Sequence, residues 1–356
     1  SLGEPVNASN GNMWISHTDY LVPGIGEPVE VTRFYNSVVQ TAGLFGHGWS
    51  TKFDESLVFI NSQVVRWNRS DGKAVYFGRE FTSQPWRDFS KEFMTLVDNG
   101  DTTFSVKDRV GKERRFNQAG RLLSLKDRNG NTTALTYDAN QDLIAATDQA
   151  GRTLTFTPNA NGTISEISDS SGSIATYEYE SGTTRLKTVT FADGSKYKLT
   201  YITVAGKTVL TTVKDALDNV LEYHEYDTSA RAITSEKQGG QEKFTFSYQT
   251  LASFYRQTTV TDGLGRVMNY WFLQNGGEWP LEKVEGICCG QGGSETAKYF
   301  FDNDLNVKRR TDAFGRPTDF TYDSSGNKLT ETDYLGTQKW TYNTFGEVLT
   351  YQDRID

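Results

Sequence analysis

The feature that most constrains this chain of 356 residues is a phrase that returns about every 21 residues. It opens on Asp-x-x-Gly and closes on an apolar, a polar and an aromatic residue. The opening aspartates Asp127, Asp148 and Asp169 are 21 residues apart, and so are Asp312 and Asp333. A period of this size indicates an array of small structural units.

Each unit combines the chemistry of a turn with that of a strand. An Asp side chain can accept hydrogen bonds from the amides that follow it, and Gly tolerates a positive φ. Closing stretches such as Leu135-Thr136-Tyr137, Leu154-Thr155-Phe156 and Phe320-Thr321-Tyr322 alternate with a period of two, which is typical of strands. The repeat positions of this prediction are Asp127, Gly130, Tyr137, Asp148, Gly151, Asp169, Gly172, Asp312, Gly315, Tyr322, Asp323, Gly326, Asp333, Gly336 and Tyr342.

The predicted fold is all-β, an array of antiparallel β-hairpins. About 21 residues hold two strands and two turns, so each unit is one hairpin. Because a lone hairpin is marginal in water, the hairpins are expected to add edge to edge into one continuous sheet. Leu and Tyr would pack on one face, while Thr, Lys and Glu would face solvent. The rhythm is degenerate at about 180–300, where Asp218 and Ala230 stand at positions that Gly occupies elsewhere.

Composition excludes several classes of protein. No apolar run approaches the roughly 20 residues of a transmembrane helix. The 37 basic and 45 acidic residues give a net charge of −8, which leaves no basic footprint for nucleic acid. The start is polar, without a visible signal peptide, and the abrupt start and end are expected to be cuts inside a longer protein.

The carboxylates predict no catalytic or metal centre. They recur at turns, where the expected role is to cap backbone amides rather than to form the paired site of a glycosidase. Asp302 and Asp304 begin a stretch that resembles a calcium loop. However, Val307 and Ala313 stand where that loop needs Gly and Glu, so only weak cation binding at a turn stays open. The sequence also lacks a serine nucleophile elbow and a phosphate-binding glycine loop, and no cofactor is expected.

The histidines and cysteines favour structural roles as well. His17, His47 and His224 are far apart and lack the spacing of metal ligands. Cys288 and Cys289 are adjacent, so they cannot staple distant segments. We interpret the two cysteines as thiols in a loop between hairpins. A strained disulfide between the two neighbours and a metal site are the alternatives.

The phrase that runs from Tyr322-Asp323-Ser324-Ser325-Gly326 to Asp333 resembles the repeat of the RHS (YD-repeat) family. This family includes polymorphic toxins, shell-forming components of insecticidal Tc toxins, and teneurins. Tyr137-Asp138, Tyr226-Asp227 and Phe301-Asp302 fit the same Tyr-Asp pair. The stretches Gly3-Glu4-Pro5-Val6, Thr32–Ser37 and Gly46–Ser50 are similar to the segment that precedes the repeats in bacterial members.

The resemblance implies a sheet that curves and spirals as part of a hollow β-shell. It implies two regions, an N-terminal RHS-associated capping segment at 1–65 and a repeat array at 66–356. The expected function is structural and non-catalytic: the shell would enclose or present a C-terminal effector, so the partner is the remainder of the same polypeptide. The motif that usually ends such a shell is not visible. A secreted or cell-surface location of a bacterial protein is expected.

The alternative is a carbohydrate-binding or cell-surface adhesion module. Tryptophans can serve as stacking platforms for sugars, although strand alternation places most aromatic residues on the packed face. Trp271 and Trp279 flank a glycine-rich loop at Gly276 and Gly277. They are therefore the candidate ligand-binding residues, expected to be exposed, and glycans are the possible partner.

Overall fold

The structure is a computed structural model that describes residues 5–23, 28–275, 277–287 and 294–354. Apart from the single-turn 3₁₀ helices η1 (Lys52–Asp54) and η2 (Gln238–Gly240), the regular elements in these residues are β-strands. The strands are β1 (Val6–Asn7), β2 (Asn12–Val22), β3 (Val29–Asn36), β4 (Ala42–Gly43), β5 (Gly46–His47), β6 (Trp49–Ser50), β7 (Ser56–Asn61), β8 (Val64–Asn68), β9 (Ala74–Gly78), β10 (Arg87–Asp88), β11 (Thr95–Asp98), β12 (Thr103–Lys107), β13 (Glu113–Asn117), β14 (Leu122–Lys126), β15 (Thr132–Tyr137), β16 (Leu143–Thr147), β17 (Thr153–Pro158), β18 (Ile164–Asp169), β19 (Gly172–Tyr179), β20 (Leu186–Phe191), β21 (Lys196–Val204), β22 (Lys207–Lys214), β23 (Val220–Tyr226), β24 (Ala232–Lys237), β25 (Gln241–Ala252), β26 (Tyr255–Asp262), β27 (Val267–Leu273), β28 (Leu281–Ile287), β29 (Ser294–Phe301), β30 (Val307–Thr311), β31 (Pro317–Tyr322), β32 (Lys328–Asp333), β33 (Gly336–Tyr342) and β34 (Val348–Gln352).

The strands from β11 to β34 follow one another in strict chain order in a sheet of 24 antiparallel strands. This confirms the predicted all-β class and the array of hairpins. The loosened sequence rhythm at 180–300 does not interrupt the strand order. The chain forms two compact units, Met13–Glu222 and the combination of Ser1–Asn12 with Tyr223–Asp356, and each is described by itself below.

The larger unit, Met13–Glu222, carries small sheets before the hairpin array begins. Strands β2, β3 and β6 form one, β4 and β5 another, and β7 to β10 a third. The predicted division at 65/66 falls inside β8, and therefore inside the third sheet. The hairpin sheet of this unit starts at β11.

A β-bulge recurs in successive even-numbered strands, from β14 to β22 and again from β28 to β34. In β15 the register shifts between Thr136 and Tyr137, and in β17 it shifts between Thr157 and Pro158. The extra residue lies on the partner strand: Thr136 pairs with Ala145 and Tyr137 with Leu143, which leaves Ile144 of β16 as the bulged residue. Alternation along β15 itself is unbroken, so Leu135 and Tyr137 lie on the same side of the strand. The strand pairing also corrects the predicted alignment of units. Phe156 occupies the position of Leu135, and Pro158 occupies the position of Tyr137.

The two faces of the hairpin sheet differ in chemistry. Leu135, Leu154 and Phe156 are buried, and each such side chain contributes about 1.5–3 kcal/mol of burial. On the opposite face, threonines pair across strands, with 2.9 Å between the hydroxyls of Thr147 and Thr153. One apolar face and one polar face suit a sheet that is covered on one side.

The smaller unit continues the same hairpin pattern from β24 to β34. Its N-terminal residues lie against these strands: Thr258 Oγ1 donates to the Ala8 carbonyl at 2.6 Å, and the Ala232 amide donates to the Gly11 carbonyl at 2.9 Å. All five residues of β34 are exposed.

Candidate functional site

The site is built around a charged residue that lies on a buried strand face. In β3, Val29, Val31, Arg33 and Tyr35 alternate with more exposed residues and are all buried. Arg33 is 1% exposed. A buried guanidinium is unfavourable unless it has a charged and hydrogen-bonded partner, so this position requires one.

Asp19 of β2 is that partner. Arg33 donates from Nε to Asp19 Oδ2 at 2.5 Å and from Nη2 to Asp19 Oδ1 at 2.9 Å, which is a bidentate pair. The register of β2 against β3 shifts between Thr18 and Tyr20, so Asp19 is the extra residue of a β-bulge. The bulge explains how an acidic residue of β2 reaches the buried side.

The ion pair is tied to the hairpin sheet by Tyr177 of β19. Its hydroxyl donates to Asp19 Oδ2 at 2.8 Å, across 158 positions of the chain. The Tyr177 ring also lies 5.8 Å from the Arg33 guanidinium, and Phe45 packs edge-on against it with 4.7 Å between ring centres. The three side chains Arg33, Asp19 and Tyr177 are called the anchor below.

Aromatic residues of the N-terminal segment (residues 13–54) extend the anchor. Trp49 lies 4.7 Å from the Arg33 guanidinium, and its Nε1 donates to the Tyr201 hydroxyl at 3.0 Å. The Tyr35 hydroxyl accepts a hydrogen bond from the Leu210 amide at 2.9 Å. Arg33 Nη1 is buried without a hydrogen-bond partner among the described residues. The attraction between the Arg33 guanidinium and the Trp49 ring adds to the ion pair with Asp19.

Burial and charge shift the pKa values of Arg33, Tyr177 and the neighbouring His17. Burial alone would lower the pKa of Arg33, but the charge and the hydrogen bonds of Asp19 outweigh it and raise that pKa. Burial, followed by the charge of Asp19, raises the pKa of Tyr177 well above its usual range. Burial and the nearby Arg33 lower the pKa of His17. These shifts favour the charged guanidinium of Arg33 and the neutral phenol of Tyr177, the forms that make the hydrogen bonds between the two segments.

A second set of contacts fixes the end of the N-terminal segment. The Asp54 carboxylate accepts from the Leu44 amide at 2.6 Å and from the Thr51 amide at 2.7 Å. Burial raises the pKa of Asp54 to about 6, although these hydrogen bonds favour the charged form. The Leu44 carbonyl accepts from the Ile164 amide at 2.7 Å, so the segment also bonds to the sheet through its backbone.

The predicted repeat aspartates all lie in hairpin turns. Asp127 Oδ1 accepts from the amides of Asn129 and Asn131, and the same two bonds recur at Asp148, Asp312 and Asp323. The side-chain hydrogen bond from Arg316 is the main cause that lowers the pKa of Asp312. The glycines that close these four turns have a positive φ and are Gly130, Gly151, Gly315 and Gly326.

Asp169 and Asp333 lie in a tighter turn than the other repeat aspartates. They pair directly with Gly172 and Gly336 across two residues, and the two glycines have φ of 124° and 130°. Asp169 Oδ2 also accepts from the Tyr20 hydroxyl at 2.6 Å. This repeat position therefore contacts the N-terminal segment, which the sequence did not predict.

The repeat tyrosines connect one hairpin to the next. The Tyr137 hydroxyl donates to the Leu122 carbonyl at 2.6 Å, which belongs to the first residue of the preceding hairpin's second strand. Tyr322 and Tyr342 donate in the same way to the carbonyls of Val307 and Lys328, at 2.9 and 2.7 Å. These hydroxyl-to-carbonyl bonds explain why a tyrosine recurs at this position of the repeat.

The two candidate sugar-binding tryptophans are half-buried, which corrects the expectation that they are exposed. Trp271 lies in β27 with the Lys283 ammonium 4.3 Å from its ring centre, and Trp279 lies 3.6 Å from the Arg256 guanidinium. Strand neighbours cover part of Trp271, and a cation covers one face of each ring. Their role in binding glycans stays a prediction.

The remaining sequence candidates do not converge. Cys288 and Cys289 lie outside the described residues. Among those that the structure describes, no three His, Cys, Asp or Glu side chains are grouped so that they could hold a metal ion. His47 is half-buried, and burial lowers its pKa. Within the same residues, no helix is long and apolar enough to cross a membrane.

The anchor is what sequence reasoning missed. One local signal could have found Arg33: it is the charged member of the apolar alternation Val29, Val31, Arg33, Tyr35. Nothing local indicates Asp19 or Tyr177 as its partners.

Comparisons with known proteins cover most of the chain. A family model described as a domain of unknown function, DUF6531, matches residues 3–77. The model described as the Teneurin YD-shell matches residues 90–258. The anchor therefore takes Asp19 and Arg33 from the first matched region and Tyr177 from the second.

Relatives are similar over part of the chain. The tRNA nuclease WapA of Bacillus subtilis (strain 168) is 26% identical over 149 residues, which are 38% of this chain and 6% of that protein. The tRNA3(Ser)-specific nuclease WapA of Bacillus spizizenii shows the same values. The chain thus spans about 6% of the length of these relatives.

Solved structures of the TcdB2–TccC3 complex are also similar. The complex without the hypervariable C-terminal region matches with a TM-score of 0.44 and 9% identity, over 97% of this chain and 23% of that one. The TcdB2–TccC3 complex itself gives a TM-score of 0.40 and 12% identity, over 91% and 20%.

Proposed function

We propose that this chain, which is an RHS (YD-repeat) protein, forms part of the wall of a β-shell that encloses or presents a further part of the same polypeptide. The match of residues 90–258 to a YD-shell supports the structural role. The observation that carries the proposal is the anchor, in which Arg33, Asp19 and Tyr177 lock the N-terminal segment onto the hairpin sheet.

Containment is the proposed mechanism. A continuous ladder of antiparallel strands satisfies the backbone hydrogen bonds of its members and leaves few extended loops for a protease to bind. The Tyr137 type of hydroxyl bond joins successive hairpins, and the anchor joins the segment before the array to the strands within it. Both kinds of contact resist local opening of the wall.

We propose that the chain is not itself catalytic. The names of the relatives assign nuclease activity to those proteins, of which this chain spans 6%. The buried carboxylates of the larger unit are engaged in structure: Asp19 binds Arg33, Asp54 binds backbone amides, and Glu55 binds Arg114 at 2.7 Å. Incubation with total tRNA is expected to give no cleavage products, and specific cleavage by the purified chain would overturn this part. A secreted or cell-surface location is proposed with the shell.

Limited proteolysis of the natural polypeptide that contains this chain tests the shell. The region beyond residue 356 is expected to resist trypsin in the wild type and to be cut after Asp19→Asn. The matched control is Asp319→Asn, which removes the same bidentate contact from the exposed Arg309. A downstream region that is cut equally fast in all three proteins contradicts containment.

A second candidate is a carbohydrate-binding role. It is favoured by Arg256, whose guanidinium lies over the Trp279 ring, since a partly exposed cation beside an aromatic ring is a common element of polar ligand sites. A glycan array probed with the wild type and with Trp271→Ala and Trp279→Ala tests it. Saturable binding that the variants lose supports adhesion, and no binding across the array contradicts it.

A further inference from the structure

The smaller unit contains a cavity of about 160 Å³ whose walls carry positive charge. Two arginines line it, and none of the nine lining residues, all within the described part of the chain, is Asp or Glu. The lining residues are Ser9, Asn10, Arg231, Tyr248, Gln249, Thr250, Arg256, Gln257 and Thr258. A polar cavity with cations and no acids is complementary to an anion.

The two arginines differ in what already neutralises them. Arg231 donates from Nε and Nη2 to Asp227 Oδ2 at 2.8 and 2.7 Å and stacks 4.6 Å from the Tyr248 ring centre. Arg256 lies 3.6 Å from the Trp279 ring centre and forms no ion pair within the described residues. The uncompensated charge of the cavity therefore belongs to Arg256.

The contact with Trp279 also positions Arg256. Its guanidinium carbon lies over the indole, and a guanidinium carries its N–H groups in a planar fork that matches a carboxylate. The indole restricts the rotamers of this long side chain, so binding an anion there costs less conformational entropy.

The rest of the wall is neutral and polar. Asn10 Oδ1 accepts from the Asn12 amide at 3.0 Å, which leaves its Nδ2 group as a donor. Thr250 and Gln249 contribute a hydroxyl and an amide. The volume is close to that of an engineered cavity of about 150 Å³ that holds one benzene molecule. The cavity therefore has room for one six-membered ring.

We propose that this cavity binds a carboxylated six-membered sugar, with the carboxylate on Arg256 and the ring hydroxyls on the neutral polar residues. The inference rests on the second candidate function and is independent of the shell. The two fail separately, because the shell is tested by protection from trypsin and this site by binding.

Isothermal titration of the 356-residue chain with sodium D-glucuronate tests the site, with D-glucose and sodium sulfate as comparison ligands. Glucuronate is expected to bind in roughly the millimolar range, and glucose at least about tenfold more weakly. Arg256→Gln should weaken glucuronate binding about tenfold or more, since a hydrogen-bonded charge is lost. Arg256→Lys should recover only part of the affinity, because it keeps the charge without the planar fork.

Arg309→Gln is the matched control, since it removes an arginine of the same unit that pairs with Asp319 at the surface. It should leave glucuronate binding unchanged, and circular dichroism should show that all variants keep the strand content of the wild type. Absence of glucuronate binding to the wild type overturns the proposal. So does a folded Arg256→Gln variant that binds glucuronate with the same affinity as the wild type. Sulfate that binds as tightly as glucuronate also overturns it, because the site would then recognise charge alone.

Discussion

Asp19→Asn is the substitution that most directly tests the anchor. Asn has nearly the same shape but no charge, so Arg33 stays buried at 1% exposure without a counter-ion. Asn also offers one acceptor oxygen, whereas Asp19 accepts from Nε and Nη2 of Arg33 and from the Tyr177 hydroxyl. Removing one partner of a buried pair costs about 3–5 kcal/mol, so the free energy of unfolding should fall by that amount.

Urea unfolding followed by tryptophan fluorescence measures the change, since Trp49 lies against Arg33. The control is Asp319→Asn, whose pair with Arg309 has the same bidentate geometry but side chains that are 46% and 50% exposed. An exposed pair contributes about 0–1 kcal/mol. Each variant is compared with the wild-type transition.

The double variant Asp19→Asn/Arg33→Met separates charge from packing. Removing both members of a buried pair is often close to neutral, so the double variant should be more stable than Asp19→Asn alone. The reasoning is refuted if Asp19→Asn costs no more than Asp319→Asn, or if the double variant is less stable than Asp19→Asn alone.

Three further predictions test the repeat and the N-terminal segment. Tyr137→Phe removes the hydroxyl that reaches the preceding hairpin at 2.6 Å, and should lower stability by about 1–2 kcal/mol in urea unfolding. Gly120→Ala should cost clearly more than Gly130→Ala in the same assay, although both have positive φ. A Cβ at Gly120 would collide with the Leu57 carbonyl oxygen, while one at Gly130 meets open space, where strain alone costs about 1–2 kcal/mol. The wild type should lose stability as the pH rises through about 6, because Asp54 loses its proton there, and Asp54→Asn should abolish this loss.

The sign of the Asp54 effect follows from its pKa, which burial raises from 3.8 to about 6. The folded chain then holds this proton more tightly than the unfolded chain does. That stabilisation is complete below pH 3.8 and is lost as the pH rises through about 6, up to about 3 kcal/mol. The difference between wild type and variant, measured at several pH values, isolates this group, and a difference that is flat across this range contradicts the assignment.

Tyr334→Phe provides the control for the tyrosine substitution, since Tyr334 is 68% exposed. Its loss should change stability by less than about 0.5 kcal/mol. An equal loss at Tyr137 and Tyr334 would remove the argument that the buried hydroxyl joins the hairpins. For the glycines, equal costs at Gly120 and Gly130 would show that the Leu57 backbone yields.

The local sequence was sufficient to predict the hairpin array. Asp-x-x-Gly turns and alternation of period two are interactions within about ten residues, and Asp127 and Gly130 show both the side-chain bonds and the positive φ that were expected. Even so, the alignment of Phe156 with Tyr137 was wrong. Leu154-Thr155-Phe156 shows the same local alternation as Leu135-Thr136-Tyr137, and the strand register, which pairs Pro158 with Ile164 as it pairs Tyr137 with Leu143, reveals the offset of two residues.

Only the tertiary structure decided what holds the N-terminal segment and which aromatic residues are accessible. Arg33 meets Asp19 across 14 residues because a bulge in β2 turns Asp19 to the buried side of the same sheet. Asp19 meets Tyr177 across 158 residues, so this contact depends on how two separate sheets pack. Trp279 flanks a glycine-rich loop in the sequence, yet Arg256 covers one of its faces. Turns and strands are encoded by neighbours in the chain, whereas burial and ion pairing are set by neighbours in space.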